Sequence, residues 1–515
     1  MSEKTTHWKE FRILYVSTIP QIENIKNELL REGARILENS SNSLKISSQA
    51  CFQQNPSQKE FPNIHIRFHS DELESAKDLA SFDADLVIVD EKIGDTKFTF
   101  EQFKWGLERF SNKDFLYTTK RIIVIINPDA ASSNREFQLS LANVRAVILP
   151  PNKLFNFICM ACKELFNFRE HHHKTSLCIS GGGVEGYIYS IGVLQALNDC
   201  FKDKSCNDFD IYCGVSSGAI LSSALACGSP IDDLKKQLER KSTKLETIHL
   251  NTIFDPAFGE VTTRFLSIFK ALPTMDLSLL ISRLQRTIPV GFFRGEKLKK
   301  FLERQIQIFG VPDNMSSLQK ELYINVTDQD SGENVVLGDD PWSDVKISQA
   351  IRASTALPPF YLPEKINGHW FTDGQLTSNS DFQTAIQKGA GLVVYIDPMT
   401  SFVTNKPGES LRRGGYFTLL QAVKSIIETR SKSYISRAMD HTPDVDFVIF
   451  RPTNQAMETM SGNPMKYTLN IDLISHGYRS TLDSVLSSYD AMSHKFEKHG
   501  IQFKEKSKIE QLLLS

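Results

Sequence analysis

Hydrophobic and polar positions alternate on two periods along this chain, and the change of period marks its elements. Before residue 170, short apolar, β-branched runs at 11–16, 85–89, 121–126 and 144–149 are separated by amphipathic stretches. Such runs between helical patterns predict a parallel sheet covered by helices. Helical spacing over 153–168 closes this first α/β unit, and the polar residues 169–174 read as a linker. A second α/β unit starts at Thr175. A strand at 177–180 leads into a glycine-rich turn and an apolar helix over 187–197, and a strand at 209–213 leads into a small-residue helix over 219–226. Helical patterns fill 231–318, broken at Pro273, Pro289 and Pro312. Strands follow at 322–326 and 334–337 around a turn at 330–332, with a buried strand at 391–396. Beyond 401 come a loop, a long helical pattern over 416–439, a strand at 445–450 and helical stretches to the end. The predicted organisation is an α/β unit over 1–168, a second over 175–400, and a mostly helical extension over 401–515 packed on the second.

Composition narrows the class. A chain of 515 residues is too long for one ordinary core, and 41% hydrophobic with 23% charged residues is typical of soluble globular proteins. A net charge of −2 gives no bulk electrostatic reason to bind nucleic acid or an anionic membrane. The first ten residues hold no apolar core of a signal peptide, and no run approaches the ~18 apolar residues of a spanning helix. The expectation is a soluble, cytoplasmic protein whose membrane contact is peripheral. Eight cysteines lie scattered in mostly apolar runs, which reads as buried free thiols in a reducing compartment. Cys159-x-x-Cys162 has no second pair at zinc spacing and reads as one helix face, while His171-His172-His173 reads as exposed linker. No metal and no organic cofactor is expected.

The chemistry concentrates at Gly214-Val215-Ser216-Ser217-Gly218. A buried strand precedes it and a small-residue helix follows. Strand, sharp turn, Ser and helix form the arrangement of a nucleophile elbow, which lifts the hydroxyl into a cleft and aims a helix N-terminus at it. Upstream, Gly181-Gly182-Gly183-Val184-Glu185-Gly186 also joins a strand to a helix. That pattern serves either a dinucleotide phosphate or an oxyanion. A dinucleotide site wants an acidic residue closing the next strand; that strand ends instead in Cys213-Gly214-Val215-Ser216, so the oxyanion reading is preferred. A nucleophilic Ser needs a base. Asp373, before Gly374 at the end of an apolar strand, is the best candidate, against the bland reading of a structural Asp-Gly turn. His369 is the rival base, with His441, His476 and His494 behind it; none stands in a marking motif. The Phe- and Leu-rich stretch 251–293 reads as core packing or as a lid facing lipid.

The glycine loop over 180–186, the elbow over 214–218, Arg352-Ala353-Ser354-Thr355-Ala356-Leu357-Pro358-Pro359-Phe360 and Asp373-Gly374 occur in this order. In that order they resemble a patatin-like phospholipase domain. The resemblance implies a three-layer α/β/α fold, lipid acyl hydrolysis and a Ser–Asp dyad without His. It assigns Ser216 as nucleophile, Asp373 as base and the backbone of Gly181, Gly182 and Gly183 as oxyanion hole, with Gly186, Gly214, Gly218 and Gly374 as motif glycines. The family's Arg or Lys before the last loop glycine is Glu185 here, and Gln375 replaces the usual small residue after Asp-Gly. The first unit resembles a response-regulator receiver, a flavodoxin-like α/β domain. Asp90 stands at the phosphorylated position and Lys153 near the family's Lys, but Ser17-Thr18 replaces the acidic pair and Asn127 the switch hydroxyl. This implies a degenerate receiver. The partners implied are a phospholipid or acyl lipid and no nucleic acid, with a second copy or a regulatory protein left open. The alternative is a weak or inactive hydrolase unit serving as scaffold for the receiver-like module.

Overall fold

The computed structural model describes residues 9–17, 22–40, 42–52, 62–69, 82–90, 121–126, 139, 144–149, 153–249, 255–257, 259, 262, 290–378, 382–399, 401, 407–453, 456–457, 460 and 472–514. The first sheet holds β1 (Glu10–Ser17), β2 (Ile36–Asn39), β3 (Ser43–Ile46), β4 (Asn63–His69), β5 (Leu86–Asp90), β6 (Ile122–Ile126) and β7 (Arg145–Ile148). Its order is β2-β3-β4-β1-β5-β6-β7. The five strands β4-β1-β5-β6-β7 are mutually parallel, and β2 and β3 add an antiparallel pair beyond β4. Within the parallel part the second strand lies outside the first, a doubly wound order. The uniformly buried β5 and β6 are the apolar runs that the sequence shows most plainly. Helices α1 (Ile22–Arg31) and α2 (Leu154–His171) accompany this sheet. The Glu32 carboxylate receives the Leu154 and Phe155 N–H groups at 3.0 and 2.9 Å, so a negative charge caps the positive end of α2.

Two expectations fail at α2. Cys159 is joined to Cys51, so the cysteines are not all free thiols; Cys162, Cys178, Cys200, Cys206, Cys213 and Cys227 are free and buried. The bridge forms because the turn after β3 packs against α2, a proximity no local spacing announces. Nor is 169–174 a linker. The helix runs through His171, β8 begins at Lys174, and Arg169 is buried on Asp85 at 2.8 Å.

The second sheet contains β8 (Lys174–Ile179), β9 (Ile211–Gly214), β10 (Glu321–Asp328), β11 (Asn334–Leu337), β12 (Glu364–Ile366), β13 (His369–Asp373), β14 (Ala390–Ile396) and β15 (Asp446–Phe450). Its order is β12-β13-β10-β9-β8-β14-β15, with β11 beside β10. Among them run α3 (Gly183–Cys200), α4 (Ser217–Ala226), α5 (Glu296–Ile308), α6 (Ile347–Ser354), α7 (Phe382–Gln387), α8 (Gly415–His441), α9 (Asp472–Ser487), α10 (Tyr489–Glu497) and α11 (Lys506–Leu514). Alternation along the strands divides the apolar core in two. Leu177, Ile179 and Tyr212 pack with α3, α4 and α9; Cys178, Ile211 and Cys213 pack with α7 and the C-terminal half of α8. Helices on both faces of one sheet make three layers, α/β/α.

The residues beyond 400 are more than an attached extension. β15 pairs in parallel with β14 and continues the sheet. α9 crosses α3 closely, because a Cβ on Gly192 would stand 2.1 Å from the Ile474 carbonyl oxygen and one on Gly477 2.4 Å from that of Tyr189. Where β15 and α10 meet the first sheet, Asp83, Asp85 and Asp446 are buried together. Lys498 lies 3.0 Å from Asp83, 3.2 Å from Asp85 and 3.3 Å from Asp446. Arg121 and His499 reach Asp446 at 3.3 and 2.9 Å, and His494 reaches Asp83 at 3.0 Å.

Candidate active site

β9 ends at Gly214, α4 begins at Ser217, and Ser216 between them has φ 53° and ψ −124°. A positive φ on a residue with a Cβ is strained backbone, the mark of an elbow. Packing enforces it. A Cβ on Gly218 would come within 2.1 Å of the Ile179 carbonyl oxygen, and one on Gly214 within 2.6 Å of the Ala219 Cα. Only glycines let the helix approach the sheet this closely. The Ser216 N–H donates to Ser354 Oγ at 2.9 Å, and Ser354 donates onward to the Asn325 carbonyl at 2.7 Å.

Sheet register brings Asp373 to this serine. Gly214 of β9 pairs with Ile324 of β10, and two residues along β10 Val326 pairs with Asp373 of β13. Ser216 lies two residues beyond Gly214, so both side chains emerge at one level of the sheet. Gly374 turns the chain directly after, where a Cβ would stand 2.3 Å from the Asn325 carbonyl oxygen. Asp373 is fully buried. Burial pushes its pKa up to about 7, with the Gln375 N–H and the Ser216 hydroxyl drawing it partly back. The Gln375 N–H reaches Oδ1 at 2.9 Å, while Oδ2 has no well-aligned donor among the described residues. Such contacts are commonly long before substrate binds.

The three loop glycines differ. Gly181 lies against Ser216, since a Cβ there would stand 2.7 Å from Ser216 Cβ and 2.5 Å from Gln375 Cδ. The Gly182 N–H donates to Ser217 Oγ at 3.0 Å and is therefore already engaged. Gly183, with φ 64°, begins α3 and lines a cavity of about 340 Å³. Gly186 donates its N–H to the Gly182 carbonyl at 3.0 Å, and its Cα faces Pro398. Glu185 lies buried in the first turn of α3, where a carboxylate suits the helix dipole.

The cavity opens beside Ser216, and its wall is almost entirely apolar. Tyr187 of α3, Phe301 of α5 and Leu419, Val423 and Ile427 of α8 contribute to it. Sequence reading places a helix here but not its part in the cavity wall. Arg430 of this helix donates to the backbone carbonyls of Gln375 and Leu376 at 2.6 and 2.7 Å, fastening α8 onto the Asp373 turn. Gln375 also lines the cavity, so its side chain builds the wall as well as following the turn.

The histidines stand elsewhere. His369 Nδ1 contacts Asp328 at 2.9 Å and is half exposed, His441 contacts the Arg437 carbonyl at 2.7 Å, and His494 lies on Asp83. Among the described residues no histidine, His476 included, lines the cavity. Arg352 is a buried clamp, donating to the carbonyls of Leu362 (2.7 Å) and Arg294. In the first unit Asp90 is buried, pairs in register with Ser17 and accepts the Tyr15 hydroxyl. Lys153 is exposed before α2. Thr18, Asn127 and most of the Phe- and Leu-rich segment lie outside the described residues; Phe292 is exposed and Phe293 packs on Tyr361. No helix among the described residues is long and apolar enough to cross a membrane.

Fold and site together describe a mixed α/β protein with a serine on a strand–helix elbow beside a buried aspartate. Residues 177–386 match the model of the patatin-like phospholipase family, a segment holding the glycine loop, Ser216 and Asp373. At family level the match supports a lipid hydrolase. Among curated proteins the chain is similar to uncharacterized protein L620 of Acanthamoeba polyphaga mimivirus, 27% identical over 205 residues, covering 36% of this chain and 50% of that one. The chain thus spans about half the length of this relative. Among solved structures it is similar to VipD from Legionella pneumophila, with 16% identity and TM-score 0.32 over 66% of this chain and 73% of that one. It is also similar to the type III effector protein ExoU, with 16% identity and TM-score 0.19 over 66% of this chain and 75% of that one.

Proposed function

We propose that the chain is a lipid acyl hydrolase of phospholipase A type that works through a Ser216–Asp373 dyad. The observation that carries this reading is the strained Ser216, at the wall of an apolar cavity, beside a buried Asp373 that has no charged partner among the described residues. Ser216 Oγ attacks the ester carbonyl and its proton passes to Asp373, whose pKa near 7 suits both accepting and returning a proton. The oxyanion is held at the α3 N-terminus by the amides of the loop Gly181 to Gly183. The Gly182 amide joins them once it releases Ser217. Asp373 returns the proton to the departing alkoxide, leaving an acyl-enzyme with its chain in the cavity. Water then gives a proton to Asp373 and attacks the acyl carbonyl. Asp373 returns that proton to Ser216 as the fatty acid leaves. The enzyme meets its substrate at a membrane surface, as a peripheral cytoplasmic protein. In the first unit, the doubly wound strand order supports a receiver-like domain, with Asp90 held by Tyr15 and not phosphorylated.

The test is Ser216→Ala against wild type on mixed phospholipid vesicles, with products identified by mass. Release of fatty acid should fall at least about 10³-fold. An undiminished rate in the variant sinks the assignment. The engaged Gly182 amide favours a second reading, a weak hydrolase unit serving as scaffold. Labelling of Ser216 by a fluorophosphonate removes that reading.

A further inference from the structure

Lys424 lies on α8, in the wall of the cavity that contains Ser216. Among the described lining residues it is the one charged side chain. It is 9% exposed, so its ammonium has left bulk water for a mostly apolar chamber. Among the described residues it forms no ion pair; Glu185, in the first turn of α3, acts on it only through space. A desolvated ammonium without a contacting anion is costly, and a carboxylate nearby offsets that cost in part. In one cavity with a candidate nucleophile, such a group is a binding feature awaiting an anion from outside.

We propose that Lys424 selects the substrate: it takes the phosphate of a glycerophospholipid whose acyl ester lies at Ser216. This rests on the acyl-hydrolase reading and adds the residue that discriminates among its lipids. In a glycerophospholipid the phosphate and the acyl esters share one glycerol. A single chamber holding Lys424 and Ser216 therefore suits both ends of that unit, while the apolar wall takes the chain. A triacylglycerol or diacylglycerol fills the same wall and leaves the ammonium unpaired. Lys424 thus discriminates by what it leaves unsatisfied as well as by what it binds. The long stem of a lysine is apolar, so a methionine replaces its volume without its charge.

The experiment compares full-length wild type, Lys424→Met and Lys424→Arg on two soluble substrates with identical chains, dihexanoyl phosphatidylglycerol and dihexanoylglycerol. The readout is the ratio of their kcat/KM values, which general damage to the site does not move. Loss of a charged hydrogen bond should lower the ratio about 10- to 100-fold in Lys424→Met, with most of it kept in Lys424→Arg. An unchanged ratio in Lys424→Met overturns the proposal. A binding arm separates it from the hydrolase reading. Calorimetric titration of dihexanoyl phosphatidylglycerol into Ser216→Ala, with and without Lys424→Met, reports the phosphate contact with no turnover. If wild type hydrolyses neither substrate, the acyl-hydrolase reading fails, and Lys424 is judged on this titration alone. Equal affinity with and without Lys424 overturns its role. Inorganic phosphate is titrated in parallel; binding as tight as that of the lipid overturns the lipid assignment in favour of a free-phosphate site.

Discussion

Two regions of this molecule bury aspartates completely and treat them in opposite ways. At the elbow, Asp373 has no cation beside it among the described residues, and burial carries its pKa up to about 7. Where the first sheet meets β15 and α10, burial would raise Asp83 and Asp446 as well. There Lys498 heads a set of cations and histidines that outweighs burial and holds both carboxyls well below the usual range. The same side chain at the same depth has a raised pKa in one place and is a fixed charge in the other. Partner charge, more than burial, decides which. The junction is a structural clamp, whereas the elbow keeps an uncompensated carboxyl at the position where the proposed mechanism moves a proton.

The sharpest way to break this contrast is to neutralise one aspartate of each kind. Asp373→Asn keeps the shape and the Gln375 N–H bond but loses the base, and kcat should fall about 10²- to 10⁴-fold. Its effect on stability should be favourable at pH 8. A carboxyl whose folded pKa is raised stabilises the fold at pH values below its unfolded pKa, near 4. That contribution is lost as pH rises through about 7. The variant no longer carries this penalty, so its thermal midpoint at pH 8 should exceed that of wild type. In wild type, kcat/KM should climb as pH rises through about 7, as Asp373 becomes the free base. A flat profile from pH 5 to 9, with a lower midpoint in the variant, removes Asp373 from the role of base.

Asp446→Asn should do the reverse. It leaves Arg121, Lys498 and His499 facing a neutral amide, and breaking one partner of a buried network typically costs about 3–5 kcal/mol. Urea unfolding at pH 7.5 measures this, and a loss under about 1 kcal/mol would falsify the clamp. The pH signature also reverses. Asp83 and Asp446 stabilise above their unfolded pKa and lose that contribution as pH falls. Burial lowers His494 and His499, so they stabilise the fold above about pH 6.5 and cease to do so as acid charges them. Acid should therefore loosen the junction while relieving Asp373.

The sequence displays these regions unequally. Ser216 and its glycines are legible because an elbow is a local object: strand, turn and helix are contiguous, and each glycine answers a close backbone approach. Asp373 is legible only as a strand-end Asp-Gly, and its pairing with Ser216 depends on β10 lying between β9 and β13. The junction is illegible. Its members run from Asp83 to His499, and nothing local in the chain pairs them. For the same reason, α8 looked like a helix of an extension while its residues Leu419, Val423, Lys424 and Ile427 build the cavity wall. In the first sheet, the runs buried on both faces, β5 and β6, were plain. β4, buried on alternate residues, and the short β2–β3 pair were not among the expected strands.

The smallest expected effect tests whether the elbow, which has no charge clamp among the described residues, is held by neutral hydrogen bonds. Ser354 is fully buried and bridges the Ser216 N–H to the Asn325 carbonyl. Ser354→Ala removes both bonds, at a cost of about 1–3 kcal/mol in stability. Since the bridge also restrains the strained Ser216 backbone, part of that cost should appear in catalysis, as about a tenfold fall in kcat with KM nearly unchanged. Urea unfolding and steady-state kinetics on one ester measure the two parts. A variant that loses stability but keeps kcat shows that Gly214 and Gly218 packing alone sets the nucleophile. Ser354 would then join Arg352 as a structural clamp, and the site would owe its geometry to close packing with no polar bridge.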